Sequence, residues 1–303
     1  MKMRTACALL ALTLLLAGCG NESRTAESPA VPTAAETAAV EETKQKTAKE
    51  ELPAFSGETA ADNEHCLIRV TDIDPDGMFG YTLKVYLENR TADKTLMFAV
   101  ESAAINGVQT DPAFAAEVSA GKKANKEISF FDTALTANDV GAYTDIELTF
   151  RVYDSNDWLA DNVARETVHI YPYGKDKATA FEREAQSGDK ILVDNDSAAV
   201  IVTGYEPDDF WGYTVQLYLV NKTDSALMFA VDEASVNGFM TDPFWASSVN
   251  AGKVKFSSIS WTKSALEENS ITDVDEIEMT LKIYDVENWT SGNVFNGKVT
   301  LEP

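Results

Sequence analysis

Asp72-Ile73-Asp74-Pro75-Asp76-Gly77 sets three carboxylates at alternate positions ahead of a glycine, the opening of a loop that gathers oxygen ligands around calcium. Such a loop ends in a bidentate glutamate at its twelfth position, and this chain has Leu83 there. Proline in the fourth place is also unfavourable, so the segment reads first as an acidic turn between strands, with calcium as the alternative. His65 beside Cys66 has the residue types of a metal-ligand pair or an activated thiolate. Cys66 shares a strand face with Ile68 and Val70, however, which marks it as a small buried position. His169 is the only other histidine, too few for a histidine-based catalytic set or zinc site. Carboxylates abound, among them Asp154 with Asp157, Asp285 with Glu287, and the outward-pointing Glu147 and Glu278. Glycoside hydrolysis needs two carboxyls about 5 to 10 Å apart across a cleft, and nothing in the spacing singles out a pair. No catalytic, cofactor or metal residue is assigned, and the chain is expected to be non-enzymatic.

The aromatic residues are the better lead. Phe79, Phe210 and Trp211 stand in turns before strands, and Phe114 and Trp245 in a segment opened by proline. Flat aromatic faces beside carboxylates and amides grip peptides and sugar rings, and loops at the end of a scaffold are where such sites occur. Trp158 and Trp289 follow strand ends and recur so faithfully that they read as corner-packing core. Trp211 and Trp245 differ from their counterparts and are expected to be the exposed pair.

These counterparts exist because the chain states its pattern twice. Tyr81-Thr82-Leu83-Lys84-Val85-Tyr86-Leu87-Glu88-Asn89 returns as Tyr213-Thr214-Val215-Gln216-Leu217-Tyr218-Leu219-Val220-Asn221, and Leu96-Met97-Phe98-Ala99-Val100 returns unchanged from Leu227. Asn106-Gly107, Asp111-Pro112 and Ala120-Gly121-Lys122 recur as Asn237-Gly238, Asp242-Pro243 and Ala251-Gly252-Lys253. The calcium-like run does not recur: its place holds Gly204-Tyr205-Glu206-Pro207-Asp208-Asp209. The duplicated unit spans 63–172 and 190–303, with a linker over 173–189 whose charged stretch Lys175 to Gln186 predicts a helix stopped by Ser187-Gly188.

Lys2 and Arg4, the apolar run Ala6 to Leu16, and Leu16-Ala17-Gly18-Cys19 have the layout of an export signal over 1–18, too short to span a bilayer. Leu-Ala-Gly-Cys resembles a bacterial lipobox, which implies that Cys19 becomes the first mature residue and carries a diacylglyceryl group. Each buried methylene contributes roughly 0.8 kcal/mol, so two or three chains anchor a protein to a membrane without spanning it. Residues 19–62, rich in Ala, Thr, Glu and Pro, read as a disordered stalk. With 25 Lys+Arg against 49 Asp+Glu the net charge is −24, and loss of Lys2 and Arg4 with the leader takes it to −26. Such a surface repels phosphate polymers, so nucleic acid is an unfavourable partner. Cys7 leaves with the leader and Cys19 is acylated, so Cys66 has no partner for a disulfide and each unit must be held by burial.

Within the units the apolar period is two. Tyr81, Leu83, Val85 and Leu87 alternate with polar neighbours, as do Ile146, Leu148, Phe150 and Val152, and the second copy repeats both patterns. Asn106-Gly107 predicts a two-residue hairpin turn, and Asp111-Pro112 before Ala113-Phe114-Ala115-Ala116 predicts a helical turn. Six to eight half-buried strands per unit require two sheets packed face to face, an all-β, antiparallel β-sandwich in tandem. The order Asn89-Arg90-Thr91, Leu96 to Phe98, Asn106-Gly107, Ala120-Gly121-Lys122 and Asp145-Ile146-Glu147-Leu148-Thr149-Phe150 resembles the immunoglobulin-like domains of many uncharacterised surface lipoproteins of low-GC Gram-positive bacteria. That resemblance covers about three quarters of the chain and implies a fold but no reaction. The expected role is protein binding or envelope scaffolding at the extracytoplasmic face of the membrane, with an envelope or extracellular protein as partner; glycan binding is the alternative.

Overall fold

The computed structural model describes residues 52–131 and 133–303, a chain built almost wholly of antiparallel strands. The leader, Cys19 and most of the expected stalk lie outside the described residues. Repeat 1 comprises β1 (Glu58–Asp62), β2 (Cys66–Asp74), β3 (Tyr81–Asn89), β4 (Leu96–Ile105), β5 (Val108–Thr110), β6 (Ala115–Val118), β7 (Lys123–Phe130), the short helix α1 (Thr133–Ala137), β8 (Ile146–Asp154) and β9 (Ala164–Ile170). Repeat 2 follows with β10 (Lys190–Asp194), β11 (Ala198–Glu206), β12 (Gly212–Asn221), β13 (Leu227–Val236), β14 (Phe239–Met240), β15 (Ala246–Val249), β16 (Val254–Thr262), α2 (Lys263–Glu268), β17 (Ile277–Asp285) and β18 (Asn293–Leu301).

In repeat 1, β1-β2-β3-β7 form one sheet; β4-β8-β9 form the facing sheet, with β5 and β6 along the free side of β4. The chain leaves β3 for β4 in the other sheet, returns as β7 beside β3, then crosses again to β8 beside β4, the Greek-key path of an immunoglobulin-like sandwich. Repeat 2 repeats it, with β10-β11-β12-β16 facing β13-β17-β18. The period-two residues explain this arrangement. Leu83, Val85 and Leu87 from one sheet and Phe98, Leu148, Phe150 and Val152 from the other are wholly buried in one core. Val215, Leu217 and Leu219 meet Phe229, Leu281 and Ile283 in the second. Cys66 lies in the first core as a free thiol, and burial pushes its pKa up to about 11, so it stays protonated and unreactive at neutral pH.

The asparagines of the motif are tertiary clamps. Asn89, at the end of β3, donates to the carbonyls of Lys94 (2.8 Å) and Val118 (2.7 Å), while its side-chain oxygen accepts from the amide (2.9 Å) and hydroxyl (2.7 Å) of Thr91. Asn221 makes the equivalent bonds to Ser225, Val249, Asn250 and Thr223. Both are buried, and both leave no amide valence unused. Asn106-Gly107 is the two-residue hairpin expected, with φ of 52° and 85°, a left-handed pair that Asn and Gly adopt at least cost. Its Asn106 side chain also ties Ala142, Thr144 and Asp145 to the turn.

Three expectations give way to the structure. Asp111-Pro112 opens no helix: Ala116 and Val118 point inward, Ala115 and Glu117 outward, and the segment pairs as β6 with the open edge of β4. Residues 175–186 hold a single 3₁₀ turn, Lys175–Lys177, and then run as an extended strap, because alternate residues are pinned to the flanking sandwiches. The sandwich also starts earlier than residue 63. β1 lies inside the expected stalk and pairs with β2, and Phe55 packs against the core. Glu58-Thr59-Ala60-Ala61-Asp62 has no large apolar residue, and it becomes a strand by completing the β2 edge.

Replacing Asn89 or Asn221 with Ala strands several buried carbonyls, and each change should lower stability by about 2 to 4 kcal/mol. Urea titration of the variants checks this, with Thr91→Val as a milder control expected to cost about 1 kcal/mol.

Candidate binding surfaces at the repeat junction and the free end

The two sandwiches meet where the Asn106-Gly107 hairpin of repeat 1 reaches the end of β15 and the start of β16. The first strand residue of β16, Val254, pairs in parallel with Val108 of β5, and its amide bonds to the Gly107 carbonyl at 3.2 Å, so a sheet of repeat 2 continues into a sheet of repeat 1. Gln109, only 7% exposed, clamps the contact: its amide nitrogen donates to Ser248 O (3.1 Å) and its oxygen accepts from Asn250 N (2.7 Å). Lys253 reaches Glu147 at 2.6 Å and Lys255 reaches Asp111 at 2.9 Å. His169 stacks on Tyr171 and holds Asp145 at 2.8 Å, with Glu147 at 3.5 Å, so the outward glutamate and the lone histidine of this strand pair serve the junction.

The strap between the repeats seals one side. Thr179 bonds Thr144, the Phe181 amide donates to Asn106 O at 2.8 Å, and the Phe181 ring meets Phe256 of β16 edge-on at 5.8 Å. Arg183 lies 5.6 Å from the Tyr218 ring and forms a two-point pair with Asp189, both bonds 2.7 Å. Those bonds hold the Asp189 carboxyl below the usual carboxylate range. Phe256 separates two clefts. One, of about 690 Å³, lies between α1, Arg183 and Tyr205 of repeat 2. The other, of about 550 Å³, lies between Phe79, Pro112, Phe131 and Lys255.

At the far end of repeat 2 the same positions are uncovered. The Asn237-Gly238 turn, β14 and the following loop occupy the places that Asn106-Gly107, β5 and Asp111-Pro112 hold in repeat 1. The indole of buried Trp261 donates to Thr241 O at 2.8 Å, and Lys263 N donates to Trp211 O at 3.1 Å, which brings this segment and the β11–β12 turn to one end. There Phe210 and Trp211 stand edge to face at 4.9 Å, Trp211 66% exposed, and Met240 and Phe244 are 71% and 92% exposed. Val108 and Gln109, buried at the junction, thus correspond to the exposed Phe239 and Met240.

Of the aromatic residues singled out by sequence, Phe79, Phe210 and Trp211 are exposed in turns as expected. Trp245 is not: it packs against the second core and its indole bonds Ser257 at 3.2 Å, because β15 places it inward beside β13. Trp158 and Trp289 are exposed, 64% and 70%, rather than core; the turns that carry them are fixed instead by Asp154 and Asp285, whose carboxylates cap the amides of Asn156, Glu287 and Asn288. The Ser225 hydroxyl and then the backbone amides hold the Asp285 carboxyl below its usual range, and the Asn156 amide with Lys94 does the same for Asp154. In the calcium-like run, Asp72 pairs with Lys84 at 2.9 Å and Asp74 caps the Asp76 amide. Among the described residues no group of three or more His, Cys, Asp and Glu side chains is arranged to hold a metal ion. The residues that sequence reasoning missed are Gln109, Phe239, Met240 and Phe244. The signal for them was the mismatch between repeats, Val108-Gln109 against Phe239-Met240.

No known protein family and no curated protein matches the chain. Solved structures that share features of the chain include the exo-chitosanase CsxA of Amycolatopsis orientalis, with 12% identity over 74% of this chain and 25% of that one and a TM-score of 0.24. Red sea bream transglutaminase matches at 9% identity over 82% and 31%, TM-score 0.21, and a Porphyromonas gingivalis W83 protein of unknown function at 11% over 82% and 100%, TM-score 0.20. The chain spans about a quarter to a third of the length of the two enzymes, and at these TM-scores none of the likenesses informs its activity.

Gln109→Ala leaves Ser248 O and Asn250 N without their partner, and coupling between the repeats should weaken by about 1 to 3 kcal/mol. Calorimetry should then resolve one melting transition into two. The Asp189 contribution is complete above pH of about 4 and is lost as pH falls through its lowered folded-state value; proteolysis within the strap should rise over that acid range and be insensitive to pH in Asp189→Asn.

Proposed function

We propose that this protein is a non-enzymatic, lipid-anchored binding protein of the extracytoplasmic membrane face, whose two coupled sandwiches present the free end of repeat 2 to another envelope or extracellular protein. The observation that carries this reading is the exposed group of Phe210, Trp211, Phe239, Met240 and Phe244 at one end of a rigid pair of domains. Monomeric surfaces rarely leave large aromatic and thioether groups together in water, and such patches mark sites of protein association. The anchor rests on the Leu16-Ala17-Gly18-Cys19 sequence. The acidity of the chain supports a partner with basic character and disfavours nucleic acid.

A glycan is the second reading, favoured by the edge-to-face Phe210–Trp211 pair next to Asp209, which offers a flat apolar face with a carboxylate beside it. Labelling tests the anchor, and capture and fluorescence separate the two readings. Fatty-acid labelling of the full chain should be abolished by Cys19→Ser. Capture of an envelope protein on the full chain should fall at least tenfold in Met240→Asp, while cell-wall glycan leaves Trp fluorescence unchanged. Equal capture by the variant, or a saturable fluorescence response to glycan lost in Trp211→Ala, would replace the protein-binding reading.

A further inference from the structure

The internal junction is a worked example of how one of these sandwiches receives another. Repeat 1 offers the β5 edge, Asp111 and Glu147; repeat 2 offers the start of β16 with Lys253 and Lys255. Duplication leaves the complementary halves of the same contact free at opposite ends of the molecule. Repeat 2 still carries the accepting half as β14, Asp242 and Glu278, and repeat 1 still carries the inserting half as the start of β7 with Lys122, although Ala124 stands where repeat 2 has Lys255, so Glu278 keeps its complement and Asp242 does not. Glu278 and Lys122, the counterparts of the joined Glu147 and Lys253, are both exposed and have no ion-pair partner among the described residues. β7 is the outer strand of its sheet, where β16 of repeat 2 is covered by β5, and β14 is the outer strand of the other sheet, so β7 and β14 each have an unused edge for strand pairing.

The differences between the repeats strengthen this complementarity. Around the accepting turn, Ala142, Thr144 and Asp145 of repeat 1 become Asp273, Asp275 and Glu276 in repeat 2, all exposed beside Asn237. On the inserting strand, Val254 and Ser257 of repeat 2 correspond to Lys123 and Lys126 in repeat 1, both exposed, with Lys123 loosely paired to Glu88 at 3.4 Å. The free accepting end is more acidic than the internal one, and the free inserting end, with three lysines and Glu127 against the two lysines of the internal one, keeps the same net positive charge. Opposed charges of this kind select register and partner, and they offset the overall repulsion expected from a net charge of −24. Phe239 and Met240, in the places of Val108 and Gln109, offer exposed apolar surface instead of a polar clamp, of a kind that the aliphatic stems of lysines can cover.

We infer that the free end of repeat 2 binds repeat 1 of a second copy of this chain, β14 against the start of β7, in a head-to-tail contact that reproduces the internal junction. This rests on reading that end as a protein-binding surface, and it names the partner. A heterologous contact between unlike ends does not satisfy itself in a dimer, so it propagates into open chains or a ring.

Sedimentation velocity of the full chain in mild detergent tests it. The mass should rise with concentration beyond a dimer. Lys122→Glu with Lys126→Glu blocks one end, and Met240→Asp with Glu278→Lys blocks the other; all four residues are exposed, and each double variant alone should remain monomeric. Mixed in equal amounts, the two should form a dimer and nothing larger, since each supplies the end the other lacks. A wild-type chain that stays monomeric throughout, or blocked variants that fail to pair when mixed, would overturn the inference. If the wild type is monomeric but envelope-protein capture still depends on Met240, self-association fails and the broader protein-binding reading stands.

Discussion

The structure depends on one contact, the side chain of Gln109 bonded to the Ser248 carbonyl and the Asn250 amide, on either side of Val249. A buried amide satisfied by another domain's main chain cannot move without losing both bonds, each replaceable only if water enters. The parallel pairing of Val108 with Val254 and the strap through Phe181 add apolar burial to that polar lock. The consequence is mechanical: two sandwiches that need only have been tethered act as one body, and their far ends are held in a fixed relation.

Each sandwich solves a common problem of its architecture in the same way. Period-two strands bury one face, but the loops crossing between sheets leave carbonyls inside, and a single asparagine on β3 or β12 answers several of them at once. Because the amide also binds the threonine two residues on, the Asn-x-Thr sequence is the visible trace of a three-dimensional clamp. Function then falls to what this frame leaves uncovered, the outer strands and the turns at either end.

Much of the frame was legible in the chain. Alternation over Tyr81 to Asn89 and Ile146 to Asp154 specified half-buried strands, and Asn106-Gly107 specified its hairpin because few other pairs tolerate two positive φ values. Elements whose conformation comes from a neighbour were not legible. β1 and β6 are strands because an open edge accepts them, and the 175–186 segment is extended because Phe181 and Arg183 are held from opposite sides. Solvent exposure of the tryptophans failed for a related reason: faithful repetition of Trp158 and Trp289 reflects a shared turn, while Trp245 is drawn inward by β15. The free end of repeat 2 was half visible, as Phe210 and Trp211, but Phe239, Met240 and Phe244 gain meaning only when repeat 1 shows what covers the same place.

Hydrogen exchange on the dilute protein measures that asymmetry directly. The amides of Val108–Thr110, sheltered by β16, should exchange slowly and together with the core, whereas those of Phe239–Met240, with the same local hairpin but no covering domain, should exchange orders of magnitude faster. Equal rates at the two hairpins would mean that the sandwiches are not locked together, and the account of one covered and one open end would fail.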